Sequence, residues 1–249
     1  MNKILEVKNL KKKYQTINGE INAIEDITFD LYDKEFLCMV GSSGCGKSTL
    51  LNILAGLEAK TSGIINYKDN LKIGYMLQED ALFPWLNILD NATLGLKITK
   101  THNKENEEFV KDLLTKYGLK DFIYKYPKEL SGGMRQRVAL IRTLALKPDI
   151  LMLDEPFSAL DYVSRLSVSD DVARIIKNEN KTVIMITHDI AEAISLADRV
   201  IVLSKRPARI KNIYNIELAK KSNPIENRKD KEFSKYYDIL WKDLDKNVS

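Results

Sequence analysis

The chain has 249 residues, 44% of them hydrophobic and 30% charged, a balance that supports a sizeable buried core and excludes a disordered or fibrous protein. Its longest apolar runs, such as residues 36–40, fall far short of the roughly 18 residues that a bilayer-crossing helix needs. A net charge of +4, from 39 basic against 35 acidic residues spread along the whole length, reads as a solvated surface and not as a nucleic-acid footprint.

In chain order, residues 4–7 and 21–31 read as strands joined by a turn at Asn18-Gly19, and 36–40 as a buried strand after Asp33-Lys34. A helix is expected over 47–56, then strands at 64–67 and 73–77 around Asp69-Asn70. The strands at 4–7, 21–31, 64–67 and 73–77 are expected to form an antiparallel patch beside the main sheet. Between 81 and 145 the strand signal disappears. A helical lobe is expected there, with Phe109, Leu113 and Tyr117 on one side of a helix at 106–117 and a second helix over 134–146. Buried strands return at 150–153, 183–186 and 200–203. Between the first two of these lies a helix over 164–178 with Val168, Val172, Ile175 and Ile176 on one face. From Pro224 the tail places Phe233, Tyr237, Leu240, Trp241 and Leu244 at helical spacing, which reads as a docking helix. The expected class is α/β, a mostly parallel core sheet with an N-terminal antiparallel β patch and an inserted helical subdomain. The divisions are 1–80 with 146–215 for the core, 81–145 for the helical part and 216–249 for the tail. Glu6 and Lys8 interrupt what a secretory signal would need, so the chain is expected to stay in the cytoplasm. Cys38 and Cys45 have neither disulfide-framework nor zinc spacing.

Residues 41–49, Gly-Ser-Ser-Gly-Cys-Gly-Lys-Ser-Thr, fit G-x-x-x-x-G-K-[ST] between the strand at 36–40 and the following helix. Gly41, Gly44 and Gly46 let successive N–H groups, those of Ser42 and Cys45 among them, converge on phosphate oxygens, and the helix adds its positive N-terminal dipole. Lys47 is expected at the β and γ phosphates and the Ser48 hydroxyl on Mg²⁺, with Thr49 closing the segment. The strand at 150–153 delivers Asp154 and Glu155 at its C-terminal end, where open α/β sheets bind ligands. Asp154 suits the Mg²⁺ shell, and Glu155 suits a general base for an attacking water. Leu130-Ser131-Gly132-Gly133-Met134-Arg135-Gln136-Arg137 opens a helix with Ser-Gly-Gly. That is either a second phosphate-binding helix start or a simple capping turn. Cys45 also leaves two readings open, a small filler facing away from nucleotide or a thiol driven towards thiolate by the loop N–H groups and Lys47. On the second reading alkylation would block ATP binding and MgATP would protect.

With these motifs the chain resembles the ATP-binding-cassette (ABC) ATPases over about residues 1–215, and LSGGMRQR resembles that family's signature. The resemblance implies that Tyr14 stacks on adenine, that Gln78 senses Mg²⁺ and the attacking water, and that His188 holds the γ-phosphate. Asp161, in Ser158-Ala159-Leu160-Asp161, would communicate across a dimer. It implies a head-to-tail pair of copies, with ATP between the phosphate loop of one and Ser131, Gly132 and Gly133 of the other. Leu-Phe-Pro-Trp-Leu-Asn-Ile-Leu-Asp-Asn at 82–91, with Ser204-Lys205-Arg206-Pro207-Ala208-Arg209-Ile210, resembles the nitrate, sulfonate and taurine importer branch, whose relatives also handle pyrimidine precursors. On that reading Leu82, Phe83 and Trp85 form an exposed dock for an integral membrane permease, with packing into the helical lobe's core as the other reading of Leu82 and Phe83. The ATPase would lie peripherally on the cytoplasmic face, with an extracytoplasmic binding protein as an indirect partner and no nucleic acid. Lys128 stands where many relatives carry histidine, and too few residues follow Ile210 for an appended regulatory β-barrel. The competing classes are a soluble cassette ATPase acting on nucleic acid or ribosomes, which usually carries two cassettes or a long coiled coil, and a P-loop kinase, which has no use for LSGGMRQR.

Overall fold

The structure is a computed structural model that describes residues 2–17, 19–218 and 223–245. The chain begins with β1 (Lys3–Thr16), β2 (Gly19–Tyr32), β3 (Phe36–Val40), α1 (Lys47–Leu54), β4 (Ser62–Tyr67) and β5 (Ile73–Met76). Helices follow at α2 (Ile88–Ile98), α3 (Lys104–Lys116) and α4 (Gly132–Leu144). The remainder is β6 (Ile150–Asp154), α5 (Tyr162–Asn178), β7 (Thr182–Thr187), α6 (Ile190–Leu196), β8 (Arg199–Leu203), β9 (Ala208–Asn215), α7 (Pro224–Asn227) and α8 (Lys231–Asp245). Contacts group these into two compact units, Met1–Leu71 with Thr182–Ser249, and Lys72–Lys181. Among the described residues no helix is long and apolar enough to cross a membrane.

In the first unit the strand order is β4-β1-β2-β9-β8-β3-β7. Every residue of β3 and β7 is buried, which is why both read as unbroken apolar runs. β3 runs parallel to β7 and β8, with Val40 opposite Thr187 and Val202. A buried acid fixes where β3 starts. Glu35 accepts from Arg199 Nη1 at 2.8 Å and from the Tyr32 N–H at 2.8 Å, although burial pushes its carboxyl above the usual range. Asp198 accepts the Phe36 N–H at 2.7 Å.

β1 pairs antiparallel with β2 and β4, and both ladders shift register around Asn9. Asn9 takes positive φ there, which its short polar side chain tolerates, and its N–H donates to Thr28 Oγ1 at 2.9 Å. The strands expected at 4–7 and 21–31 are therefore parts of two fourteen-residue strands. Bulges, each re-aiming the side chains that follow, broke the period-two pattern that would have revealed their length. The tail forms α8, packed against α6 and β8. Asp243 receives the Tyr214 hydroxyl at 2.6 Å and Asn212 Nδ2 at 2.5 Å. Of the five residues expected on its inner face only Leu240 is buried. Tyr237 and Trp241 stack on each other in solvent with centroids 6.2 Å apart.

In the second unit β5 runs parallel to β6, with Met76 opposite Leu153. This corrects the assignment of residues 73–77 to the antiparallel patch. A short apolar run carries no sign of its direction, and here the long helical connection between β5 and β6 supplies the crossover that parallel pairing requires. α4 packs on α2, α3 and α5. The core face of α5 is Val168, Val172, Ile175 and Ile176, as its spacing predicts, together with Ser169. Each of α2 to α5 starts on a side-chain cap, from Asn87, Asn103, Ser131 and Asp161.

The β1 bulge demands a glycine opposite it. Gly63 has φ +98°, and a Cβ there would lie 2.6 Å from Asn9 O and from Leu10 Cα. Gly63→Ala is expected to lower the unfolding free energy by about 2 kcal/mol in urea denaturation, through both clash and positive φ. An unchanged midpoint would mean that β4 can move off β1 freely.

Candidate nucleotide-binding site

Strand β3 ends at Val40, and residues 41–46 turn the chain into α1. Gly44 and Gly46 hold φ of +72° and +118°, and the Cys45 N–H closes the turn on Ser42 O at 3.2 Å. Gly46 gives α1 no side-chain cap, and no acid stands in its first turn. That combination suits an anion at the helix start. The Lys47 side chain is buried along the loop and donates to Gly41 O at 2.9 Å and Ser42 O at 3.2 Å. Ser48 is exposed and Thr49 half-buried. Arg206, from the turn between β8 and β9, donates to Gly44 O at 2.8 Å. Because Val40 lies opposite Thr187, His188 emerges beside Gly41 at the same sheet edge and is exposed. Thr187 Oγ1 fixes that corner, donating to Glu192 at 2.7 Å and accepting the Asp189 N–H at 3.0 Å. Tyr14 on β1 reaches α1, with its hydroxyl 3.4 Å from Thr49 Oγ1.

The second unit gathers another set. Four buried apolar residues of β6 deliver Asp154, itself buried, and Glu155, half-buried with φ +42°. Non-glycine residues seldom hold that φ, and such conformations concentrate at functional sites. The Tyr75 hydroxyl donates to Asp154 at 3.2 Å, and burial together with that carboxylate raises the phenol's pKa. Gln78 Nε2 donates to Ser158 Oγ at 3.1 Å, and Ser158 donates in turn to the Glu155 carbonyl at 3.0 Å. Ser131 Oγ accepts the Met134 N–H at 3.3 Å and caps α4. A Cβ on Gly133 would lie 2.6 Å from Val168 Cγ2, so glycine lets α4 start against α5. Gly132 sits beside Leu160, and Gln136 Nε2 donates to Pro156 O. Asp161 accepts from the Val163 and Ser164 N–H groups at 3.1 and 3.0 Å, and hydrogen bonds with Ser164 foremost hold its carboxyl below the usual range. Hydrogen bonds thus link Gln78 through Ser158 to the Glu155 carbonyl and α4 through Gln136 to Pro156, while Asp154 is held separately by Tyr75.

The family profile described as ABC transporter matches residues 24–158. The chain belongs to that family. It is 44% identical to the uncharacterized ABC transporter ATP-binding protein YtlC of Bacillus subtilis, over 96% of this chain and 95% of that protein. It is 39% identical to the nitrate import ATP-binding protein NrtD of Synechocystis sp., over 95% and 93% of the two. Other relatives are named for taurine import and bicarbonate transport. Among solved structures, the dimeric post-hydrolysis state of the ATP-binding cassette MJ0796 bound to ADP and Pi matches with TM-score 0.73 and 30% identity, covering 86% of this chain and 99% of that one.

In this ABC ATPase several polar groups escaped the sequence reading. Asp80 is one, accepting Arg135 Nε of the signature helix at 2.9 Å. Arg142 donates to Asp80 O at 2.7 Å and Ala81 O at 2.8 Å. Buried Asn91 accepts the Phe83 N–H at 2.7 Å and donates to the carbonyls of Phe83, Leu86 and Asn87. Arg135 stood inside the signature and Asn91 inside the 82–91 motif, yet no spacing rule marks the carbonyls they hold. Of the three residues expected as an exposed dock, Leu82 is buried, while Phe83 and Trp85 are exposed with ring centroids 5.1 Å apart. Lys128 is exposed, within a short 3₁₀ turn at Pro127–Glu129.

The thiolate reading of Cys45 is overturned. Its side chain is 1% exposed, a Cβ on Gly41 would lie 2.7 Å from its Sγ, and burial raises the thiol pKa despite Lys47. Desolvation outweighs the loop's positive field because the sulfur faces the core. Iodoacetamide at neutral pH is expected to label Cys45 at least about tenfold more slowly in the native cassette than in urea, followed by mass spectrometry. Equal rates would restore the thiolate reading.

Proposed function

We propose that this chain is the ATP-hydrolysing subunit of a membrane importer, in which two copies close head to tail around two ATP molecules. The observation that carries the reading is the pair of glycine-rich helix starts suited to phosphate, one uncapped and one capped by its own Ser131. In the first unit α1 has no side-chain cap. In the second α4 opens with exposed Ser131 and close-packed Gly133, and its Gln136 bonds to Pro156, next to Glu155. Two such starts in one small cassette match a centre that takes one from each copy.

In that centre the loop N–H groups of residues 41–46 and the Lys47 ammonium bind the β and γ phosphates, exchanging two neutral carbonyl partners for anionic oxygens. Tyr14 stacks on the adenine ring. The Glu155 carboxylate takes the proton of the attacking water, which the Gln78 amide orients, and the His188 imidazole donates to a γ-phosphate oxygen. Ser131, Gly132 and Gly133 of the second copy cover the γ-phosphate from the far side, and Asp161 reports closure between copies. Ser48 and Asp154 are each a hard oxygen donor of the kind that Mg²⁺ takes, and would hold it. When bound, that ion neutralises charge developing on the transferred phosphoryl group.

Asn91 holds the loop that carries exposed Phe83 and Trp85, and the Asp80–Arg135 pair joins the preceding residues to the start of α4, a suitable route from phosphate to a permease docked on that surface. The branch is supported by relatives named for nitrate, taurine and bicarbonate transport. A peripheral seat on the cytoplasmic face and an extracytoplasmic binding protein complete the assembly.

Glu155→Gln is expected to cut ATP turnover at least about 100-fold while keeping ATP affinity, so that a dimer accumulates with MgATP in size-exclusion chromatography. Lys47→Ala is expected to lose nucleotide affinity itself. Normal turnover in Glu155→Gln would remove Glu155 from the base role.

A further inference from the structure

The far end of α1 carries a polar cluster that the phosphate chemistry leaves unused. The N–H groups of Leu57 and Glu58 both donate to Asn52 O, at 2.9 and 3.2 Å, so Glu58 is fixed to the last turn of the helix that begins at the phosphate loop. Its carboxylate accepts the Tyr14 hydroxyl at 2.5 Å and pairs with Lys12 Nζ at 2.9 Å. Lys12 also donates to Ala59 O at 2.8 Å and lies over the Tyr14 ring, 4.6 Å from its centroid. Thr61 stitches the next residues to β1, accepting the Lys13 N–H at 2.9 Å and donating its own to Lys11 O at 2.9 Å. Burial opposes ionisation of Glu58, yet the bonds from Tyr14 and Lys12 hold its carboxyl below the usual value.

We propose that Glu58 and Lys12 are positioning residues for base recognition, locking the Tyr14 ring at a fixed distance from the phosphate loop so that adenine and triphosphate are read together. The proposal rests on the assignment of Tyr14 as the base-stacking residue. A tyrosine on the outer part of a strand ordinarily turns about χ1 and χ2, and a base that stacks on it must first freeze those rotations. Here the hydroxyl is held from the end of α1 and one ring face carries the Lys12 ammonium, which leaves the opposite face for a base. The cation draws on the ring's π density and orients the ring, as a purely apolar neighbour would not. Because Glu58 sits at the end of α1 and Lys47 at its start, one short helix sets the spacing between base platform and phosphate site. A surface ion pair serving only stability would not distinguish a nucleotide from its phosphate chain.

Calorimetric titration of the full chain with ATP and with inorganic tripolyphosphate, both with Mg²⁺, separates the two. Glu58→Ala is expected to weaken ATP about fivefold and leave tripolyphosphate unchanged. Glu58→Gln, which keeps an acceptor for the Tyr14 hydroxyl, and Lys12→Met, which spares the tyrosine bond, are expected to fall between Glu58→Ala and wild type. Added to Tyr14→Ala, Glu58→Ala should cost nothing more. Equal weakening of both ligands, or no change in ATP binding by any of the three variants, overturns the proposal. If Tyr14→Ala itself leaves the preference for ATP over tripolyphosphate intact, the stacking assignment fails first and the proposal with it.

Discussion

A backbone that must bend through positive φ immediately after a fully buried strand is the constraint on which the rest of this cassette depends. Gly46 holds φ +118°, and a Cβ there would meet Ala23 O at 3.2 Å and Ala208 Cβ at 3.5 Å. The loop is therefore seated on β2 and on the first residue of β9, not merely hung between β3 and α1. Those neighbours are themselves fixed by the parallel pairing of Ile24 with Ala208 and by Arg209 on Glu25. Arg206 then reaches Gly44 from the turn that leads into β9. The antiparallel strands thus hold the loop in shape, and on the proposed reading phosphate binding does not have to order its backbone.

In the second unit the same economy is reached with side chains. Glu155 carries backbone strain, and the bond from Ser158 to its carbonyl, with Gln78 behind, supplies the surroundings that hold such a conformation. Gln136 and Gly133 set the start of α4 against the same segment. Arg135, Arg142 and Asn91 spend their donors on backbone carbonyls and a carboxylate of residues 80–87. Asp80 and Arg135 link the segment just before Phe83 to the turn at Ser131, and on the proposed reading this is the candidate route from a docked permease.

How far this was legible in the sequence depends on which physical term dominated each segment. β3, β6, β7 and β8 were plain because burial on both faces leaves nothing but apolar residues. The α5 face was plain because Val168, Val172, Ile175 and Ile176 keep a 3.6-residue period. The direction of β5 was hidden, since direction resides in the crossover and not in Ile73–Met76. The lengths of β1 and β2 were hidden by the bulge at Asn9. Of the two readings that the motif left open for Cys45, burial decided for the small filler, because desolvation opposes the loop's charge. Docking and core packing stood open for Leu82 and Phe83, because a local apolar run does not reveal which member turns inward. Glu58 stood outside every motif, because its partners Tyr14 and Lys12 lie more than forty residues away, while Ser158 and Asn91 stood inside quoted motifs without a sign of which groups they bond.

The central claim is that each copy supplies half of each reaction centre. Mixing two separately inactive variants tests it most directly. A Lys47→Ala chain has a defective phosphate loop with an intact signature, and a Ser131→Arg chain has the reverse. In a head-to-tail pair of the two, one centre inherits both defects and the other inherits none. Equimolar mixing is then expected to restore about a quarter of wild-type ATP turnover, since half of the dimers are mixed and each holds one intact centre of two. No recovery on mixing, with mixed dimers shown to form, would mean that phosphate loop and signature act within a single copy, and would contradict the account.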